Sequence, residues 1–113
     1  MSYYAELPEI DRQIIEAVID DTLAAGHTVS VFDGEEVALR RSTDRGAILA
    51  ALCTTDDDRL FLRKAAGDLI GTVWLVYGNE PGVVICDHTD TPEVHALLAR
   101  ATRLGEEYDE RGG

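Results

Sequence analysis

The chain contains no glycine-rich nucleotide loop, no paired-cysteine metal motif, no zinc-protease helix and no nucleophile-elbow pentapeptide. Each is a spacing that a particular chemistry demands, so their absence argues against the most recognisable kinds of active site. No stretch approaches the roughly 18 apolar residues of a membrane span, and Met1-Ser2-Tyr3-Tyr4-Ala5-Glu6 lacks a basic region followed by an apolar one. The expectation is a cytoplasmic protein with no membrane partner. Cys53 and Cys86 are the only cysteines, and a pair this far apart without a secretory signal reads first as two reduced, buried thiols, with a disulfide as the alternative. Basic residues are also scarce, 10 against 22 acidic ones, for a net charge of -12. Such a surface repels a nucleic-acid backbone or an anionic membrane on average. Direct nucleic-acid binding is therefore disfavoured, and a protein with a Lys/Arg-lined groove becomes the natural partner. The same charge also serves plain solubility. Lys64 is the single lysine, and with abundant Ala, Asp and Gly this suggests a GC-rich bacterial or viral genome.

What is present is ordinary globular material. Apolar residues make up 45% and charged residues 28% of 113 positions, enough for one core and one domain, residues 1–113, with 1–6 and 109–113 expected to be flexible. Leu7-Pro8-Glu9 opens a helix whose stripe is Ile10, Ile14, Val18 and Leu23, flanked by Ile15 and Ile19, with Gly26 as its stop. Glu9, Glu16, Asp20 and Asp21 fall on or beside the opposite face. Strands are predicted at 27–32 and 36–42, joined by Phe32-Asp33-Gly34 with a left-handed Gly34, which pairs 31 with 35 and 29 with 37 and keeps the apolar residues on one face. Ser42 or Thr43 would cap a short helix containing Ile48, Leu49 and Leu52. Asp56-Asp57-Asp58 reads as a solvated loop, before a strand at 59–64 that alternates Leu60 and Leu62 with Arg59, Phe61 and Arg63. The strongest strands are 72–77 and 83–88; pairing Tyr77 with Val83 puts Val73, Leu75, Val83 and Ile85 on one face and Trp74, Val76, Val84 and Cys86 on the other. Thr91-Pro92-Glu93 starts a last helix, carried on by Val94, Leu97, Leu98, Ala101, Leu104 and Tyr108.

The expected fold is α+β, an antiparallel meander of about five strands with three helices in the order αββαβββα, the helices mainly on one face. The other face would carry Phe61, Trp74, Val76 and Val84 beside Arg40, Arg59 and Arg63. Either a helix or the N-terminal segment with Tyr3 and Tyr4 covers it, or it is an interface.

Candidate chemistry is sparse. Cys86, Asp87, His88, Asp90 and His95 could converge on a metal at one end of the sheet, although the turn chemistry of Asp and ordinary polar histidines account for the same residues. Ser30 and Ser42 have no His and acid at a useful spacing. Asp56-Asp57-Asp58 lacks the alternating ligands of a calcium loop. No cofactor is expected. Carboxylates three or four apart on a helix lie about 6 Å from one another, a spacing like that of neighbouring phosphates. Glu9, Glu16 and Asp20, the 56–58 segment, and Glu106, Glu107, Asp109 and Glu110 could together imitate a phosphate track. Asp20, Asp21, Asp56, Asp57 and Asp58 are the candidate partner-binding acids, and Trp74 marks the alternative apolar face.

Two stretches carry a resemblance. The first runs from Val31-Phe32-Asp33-Gly34-Glu35-Glu36 through Arg41-Ser42-Thr43-Asp44 and Ile48-Leu49-Ala50-Ala51-Leu52 to Thr55-Asp56-Asp57-Asp58. The second is Gly71-Thr72-Val73-Trp74-Leu75-Val76-Tyr77-Gly78-Asn79 with Val84-Ile85-Cys86-Asp87-His88-Thr89. Together, over about residues 27–90, they resemble small acidic proteins encoded by bacteriophages and prophages, a class that includes anti-CRISPR proteins, DNA mimics and other inhibitors of host defence. The resemblance implies no catalytic residue. It implies a non-enzymatic inhibitor that occupies a basic nucleic-acid-handling complex of the host; a homodimer formed through the apolar sheet face and a small metal-dependent enzyme are the alternatives.

Overall fold

The computed structural model describes residues 2–112. It has three helices and a five-stranded antiparallel sheet in the expected order, an α+β fold. The elements are α1 (Glu9–Ala24), β1 (Thr28–Phe32), β2 (Val37–Ser42), α2 (Arg45–Ala51), β3 (Asp57–Arg63), β4 (Leu69–Val76), β5 (Ile85–His88) and α3 (Pro92–Glu110), with a 3-10 turn at Tyr4–Glu6. Across the sheet the strands run β2-β1-β3-β4-β5. The meander is therefore interrupted once: α2 carries the chain back over the β1–β2 hairpin, so that β3 pairs with β1 and β2 becomes an edge.

Period-2 alternation builds one wall of the core. Val29, Val31, Leu60, Leu62, Val73 and Leu75 are fully buried on one face, which α1, α2 and α3 cover. Ile15, Val18 and Ile19 of α1, each fully buried, face that wall. On α3, Val94, Leu97, Leu98 and Ala101 supply the buried stripe, and the Thr91 hydroxyl accepts the Val94 amide at the helix start. The opposite sheet face keeps Phe32, Phe61, Trp74 and Val76 partly exposed. Tyr3 and Tyr4 do not cover it. They pack against the core, where Tyr3 meets Tyr77 edge-on and the Tyr4 hydroxyl donates to Glu16.

Several local expectations are corrected. The β1–β2 hairpin pairs Phe32 with Val37, Val31 with Leu39 and Val29 with Ser42. The reason is Asp33, whose carboxylate accepts the Glu35 and Glu36 amides at 2.9 Å each while its own N–H donates to the Glu36 carbonyl, closing a four-residue turn. Gly34 is left-handed as expected, with φ 100°. The extra residue moves to Arg40–Arg41, where Arg41 adopts φ 44° and donates its amide to the Ser30 hydroxyl. Asp44, rather than Ser42 or Thr43, caps α2 by accepting the Ala47 amide. At the other edge Leu75 pairs with Ile85, then one extra residue shifts Trp74 onto Asp87 and Val73 onto His88. Val84 is consequently buried and Val83 exposed, the reverse of the expected faces, and Cys86 is exposed rather than buried. The N-terminal residues, expected to be loose, are tied down: Ser2 donates its hydroxyl to the Leu52 carbonyl and Tyr3 its amide to the Cys53 carbonyl. At the other end α3 runs on to Glu110, and Met1 and Gly113 lie outside the described residues.

Gly71 tests how tightly α3 seats on β4. A Cβ there would lie 2.5 Å from Val94 Cγ2 and 2.9 Å from Thr89 Cβ, and a β-branched helical side chain has little rotamer freedom to yield. Gly71→Ala is expected to destabilise the fold by about 1–3 kcal/mol in urea denaturation. A variant as stable as the parent would show that α3 does not clamp this strand.

Candidate functional site

The acidic residues do not form one track. On α1, Glu16 and Asp20 both take Arg45 of α2, at 2.6 and 2.7 Å, and Asp21 takes Arg100 of α3 at 3.0 and 3.2 Å. These carboxylates thus clasp the three helices together. Exposed pairs of this kind contribute little stability each, about 0–1 kcal/mol, but they leave Asp20 and Asp21 already matched by a cation.

The 56–58 segment splits three ways, because the last two aspartates belong to β3 and not to a loop. Asp56 is exposed. Asp57, on the uncovered sheet face, accepts the Trp74 indole N–H at 2.8 Å, and the Arg59 guanidinium lies 5.0 Å from the Trp74 ring centre. Asp58 points the other way and is fully buried, so it is withdrawn from any contact surface. The period-2 pattern of Leu60 and Leu62, carried back two residues, places it there.

Asp58 lies in a closed polar cluster. One carboxylate oxygen accepts the Tyr77 hydroxyl at 2.6 Å and the Cys53 amide at 2.9 Å; the other is buried without a partner among the described residues. Cys53 holds φ 61°, which turns its amide toward the carboxylate. Burial raises Asp58 above the ordinary carboxylate range, with the Tyr77 and Cys53 bonds opposing the rise. It also pushes the Cys53 thiol up to about 12 and holds Tyr77 neutral. Tyr3 closes the cluster from outside, its hydroxyl bonded to the Thr55 carbonyl.

At the end of the sheet, His88 and His95 stack edge-on with centres 5.4 Å apart. His95 Nε2 lies 2.8 Å from Asp90, and His88 Nδ1 lies 3.0 Å from the Thr89 carbonyl. Among the described residues no group of three or more His, Cys, Asp or Glu side chains gathers around a common point.

What does converge is a groove of about 950 Å³ between β5, the 78–83 loop and the C-terminal half of α3. Ile14, Ile85 and Ala101 line it, and Val83, 49% exposed, borders it. Four acidic residues, Glu80, Asp87, Glu106 and Asp109, also line it, Asp87 from a strand position paired with Trp74 of the uncovered face, and no Lys or Arg does. The loop is held in place by a second buried acid. Asp11, 4% exposed on α1, accepts the Gly82 amide at 2.8 Å. On the other side Gly82 and Gly105 let loop and helix touch, since a Cβ at Gly105 would lie 3.2 Å from the Gly82 carbonyl and one at Gly82 would lie 3.0 Å from the Tyr108 ring. Burial raises Asp11 too, against the opposing Gly82 bond. Helical spacing marks its position, four residues before Ile15 and seven before Val18. Of the acids expected to meet a partner, only Glu106 and Asp109 line this concave surface, and Glu107 and Glu110 are not among its lining residues.

No protein-family model, no curated protein and no solved structure matches this chain.

Because the folded state holds protons on Asp58 and Asp11 more tightly than the unfolded chain does, their stabilising effect is complete below about pH 4 and is lost as pH rises through their folded values. The urea midpoint is expected to fall between mildly acidic and neutral pH, and to fall less in Asp58→Asn, which separates this group from the general relief of repulsion. Tyr77→Phe should cost about 1–3 kcal/mol at neutral pH by removing a donor from a buried carboxylate, and less at pH 4. Equal slopes for parent and Asp58→Asn would remove Asp58 as the cause.

Proposed function

We propose that the protein is a non-enzymatic binding protein that receives a basic partner at the groove between β5 and α3. The supporting observation is the one-sided charge of that concavity, lined by Glu80, Glu106, Asp109 and the strand residue Asp87 with no Lys or Arg among its lining residues. An acidic wall of low local dielectric focuses its field on the space it encloses and speeds the approach of cations. In a chain of net charge -12, the remote charges reinforce it. The resemblance to small acidic phage proteins supplies the kind of partner, a host nucleic-acid-handling complex whose phosphate-binding surface the carboxylates would occupy. Asp20 and Asp21 then act in holding the helices together, and Asp56 is the member of the 56–58 segment left for outside contact.

A second reading is favoured by one observation, the uncovered sheet face. Phe32 and Phe61 pack 6.2 Å apart beside the Arg59–Trp74 stack, and a second copy of the chain could bury them. Sedimentation separates this reading from the first, since a strict monomer at all concentrations excludes it.

The test is affinity capture from a bacterial host in low and in high salt. A basic nucleic-acid-handling protein should be retained in low salt and released in high salt. The double substitution Glu106→Gln with Asp109→Asn should weaken its binding about tenfold or more, roughly what one to two charge-assisted contacts supply. Asp20→Asn with Asp21→Asn should lower thermal stability and leave binding near the parent value. Capture that ignores salt and the groove pair but is lost in Trp74→Ala would overturn the proposal in favour of the sheet face.

A further inference from the structure

We propose that β5 accepts an extended segment of a partner protein as a sixth strand, seated between β5 and α3, and that this segment alternates apolar with basic residues. The inference rests on the acidic-groove reading and specifies how the groove is filled.

The first support is the edge itself. β5 ends the sheet, and its hydrogen bonds to β4 extend beyond the strand on both sides: the Val84 carbonyl accepts the Val76 amide at 2.9 Å and Thr89 donates its amide to the Thr72 carbonyl at 3.0 Å. The extended path from Val84 to Thr89 therefore has one side satisfied, and among the described residues no strand pairs with the other. In an antiparallel edge every second residue turns its N–H and C=O outward; here the extra residue between Ile85 and Asp87 interrupts that alternation and the His88 amide already bonds the Asp87 carboxylate at 2.9 Å, so the path offers a newcomer a ladder only in part.

The second support is the position of α3. Its first turn lies against Gly71 and Thr89, and its last turns lie against Gly82, so the helix runs antiparallel to β5. It packs on α1 rather than on β5. The space left between strand and helix is the groove of about 950 Å³, which is within the size range of peptide-sized and ligand-sized sites, roughly 300–1,000 Å³.

The third support is chemical and decides the occupant. The side chains of an added strand alternate between the sheet's two faces. Those directed toward α3 meet Ile85 and Ala101, while those directed away lie beside Asp87, which pairs with Trp74 on the uncovered face. Glu80, Glu106 and Asp109 add negative charge where the helix ends. A second copy docking by the same edge would set these carboxylates against their own kind. Docking by its β2 edge would bring the opposite charge, Arg40 and Arg41, but β2 carries two register irregularities against β1 and Arg41 at φ 44°. β5 carries one such irregularity, so β2 is the more interrupted of the two edges.

The experiment uses the full chain with ten-residue synthetic peptides alternating valine and lysine. Three versions are compared: unmodified, N-methylated at the odd positions and N-methylated at the even positions. The unmodified peptide should bind in low salt and slow amide exchange at residues 85–89 at least tenfold. One methylated version should bind like the parent and the other at least tenfold more weakly, because only alternate amides of a strand face its neighbour. Equal behaviour of the two methylated peptides, or unprotected β5 amides, overturns strand addition; if that binding still weakens in Glu106→Gln, the acidic-groove reading survives. Failure of the folded protein to bind any of the basic peptides overturns both. Protection of residues 85–89 that appears on concentrating the chain alone assigns the edge to a second copy and overturns the proposal.

Discussion

A carboxylate taken out of water must be given hydrogen-bond donors, and this requirement organises two parts of the molecule. Asp58 draws in the Tyr77 hydroxyl and the Cys53 amide, which joins the start of β3, the end of β4 and the exit of α2. The N-terminal residues then seal the cluster through bonds to the carbonyls of Leu52, Cys53 and Thr55. Asp11 does the same by taking the Gly82 amide, which ties the 78–83 loop that borders the groove to α1. Both acids sit on apolar faces, and neither would be tolerated there without those donors.

The remaining charge divides by what each carboxylate meets. On α1, Glu16, Asp20 and Asp21 find arginines from α2 and α3 and become internal ties. Around β5 and the end of α3 other acids line a concavity with no Lys or Arg. The uncovered sheet face behaves differently again: Arg59 lies over Trp74, and Asp57 satisfies the indole. A single figure for net charge therefore conceals three local arrangements, of which one is a concave surface of uniform sign.

The helices were legible because caps and spacing agreed. Thr91-Pro92 starts α3 where its turn chemistry says it should, and the isoleucines of α1 are buried in the expected stripe. The strands were legible from alternation, and the order αββαβββα followed. Register was not, because it depends on side chains bonding to backbone: Asp33 takes two amides and lengthens the turn, and the Ser30 hydroxyl accommodates the bulge at Arg41. The return of β3 to β1 was hidden for another reason. A helix can cross a hairpin in either direction, and the local sequence does not choose between them. Asp58 was missed although the signal was present, since three acidic residues in a row suggested solvent more strongly than the phase of Leu60 and Leu62 suggested burial. The groove joins residues of α1, the 78–83 loop, β5 and α3, and no local pattern in the chain announces such a meeting.

The strand order also bears on how the chain comes together. β3, β4 and β5 are joined by short connections and close over small loops, whereas β3 reaches β1 only past the hairpin and α2. The Asp11–Gly82 and Asp21–Arg100 contacts span 71 and 79 residues, and contacts so remote in sequence carry the largest loop-closure entropy. The groove walls come from α1, the 78–83 loop, β5 and α3, elements far apart in sequence, so a chain in which they have not yet met has no site to offer.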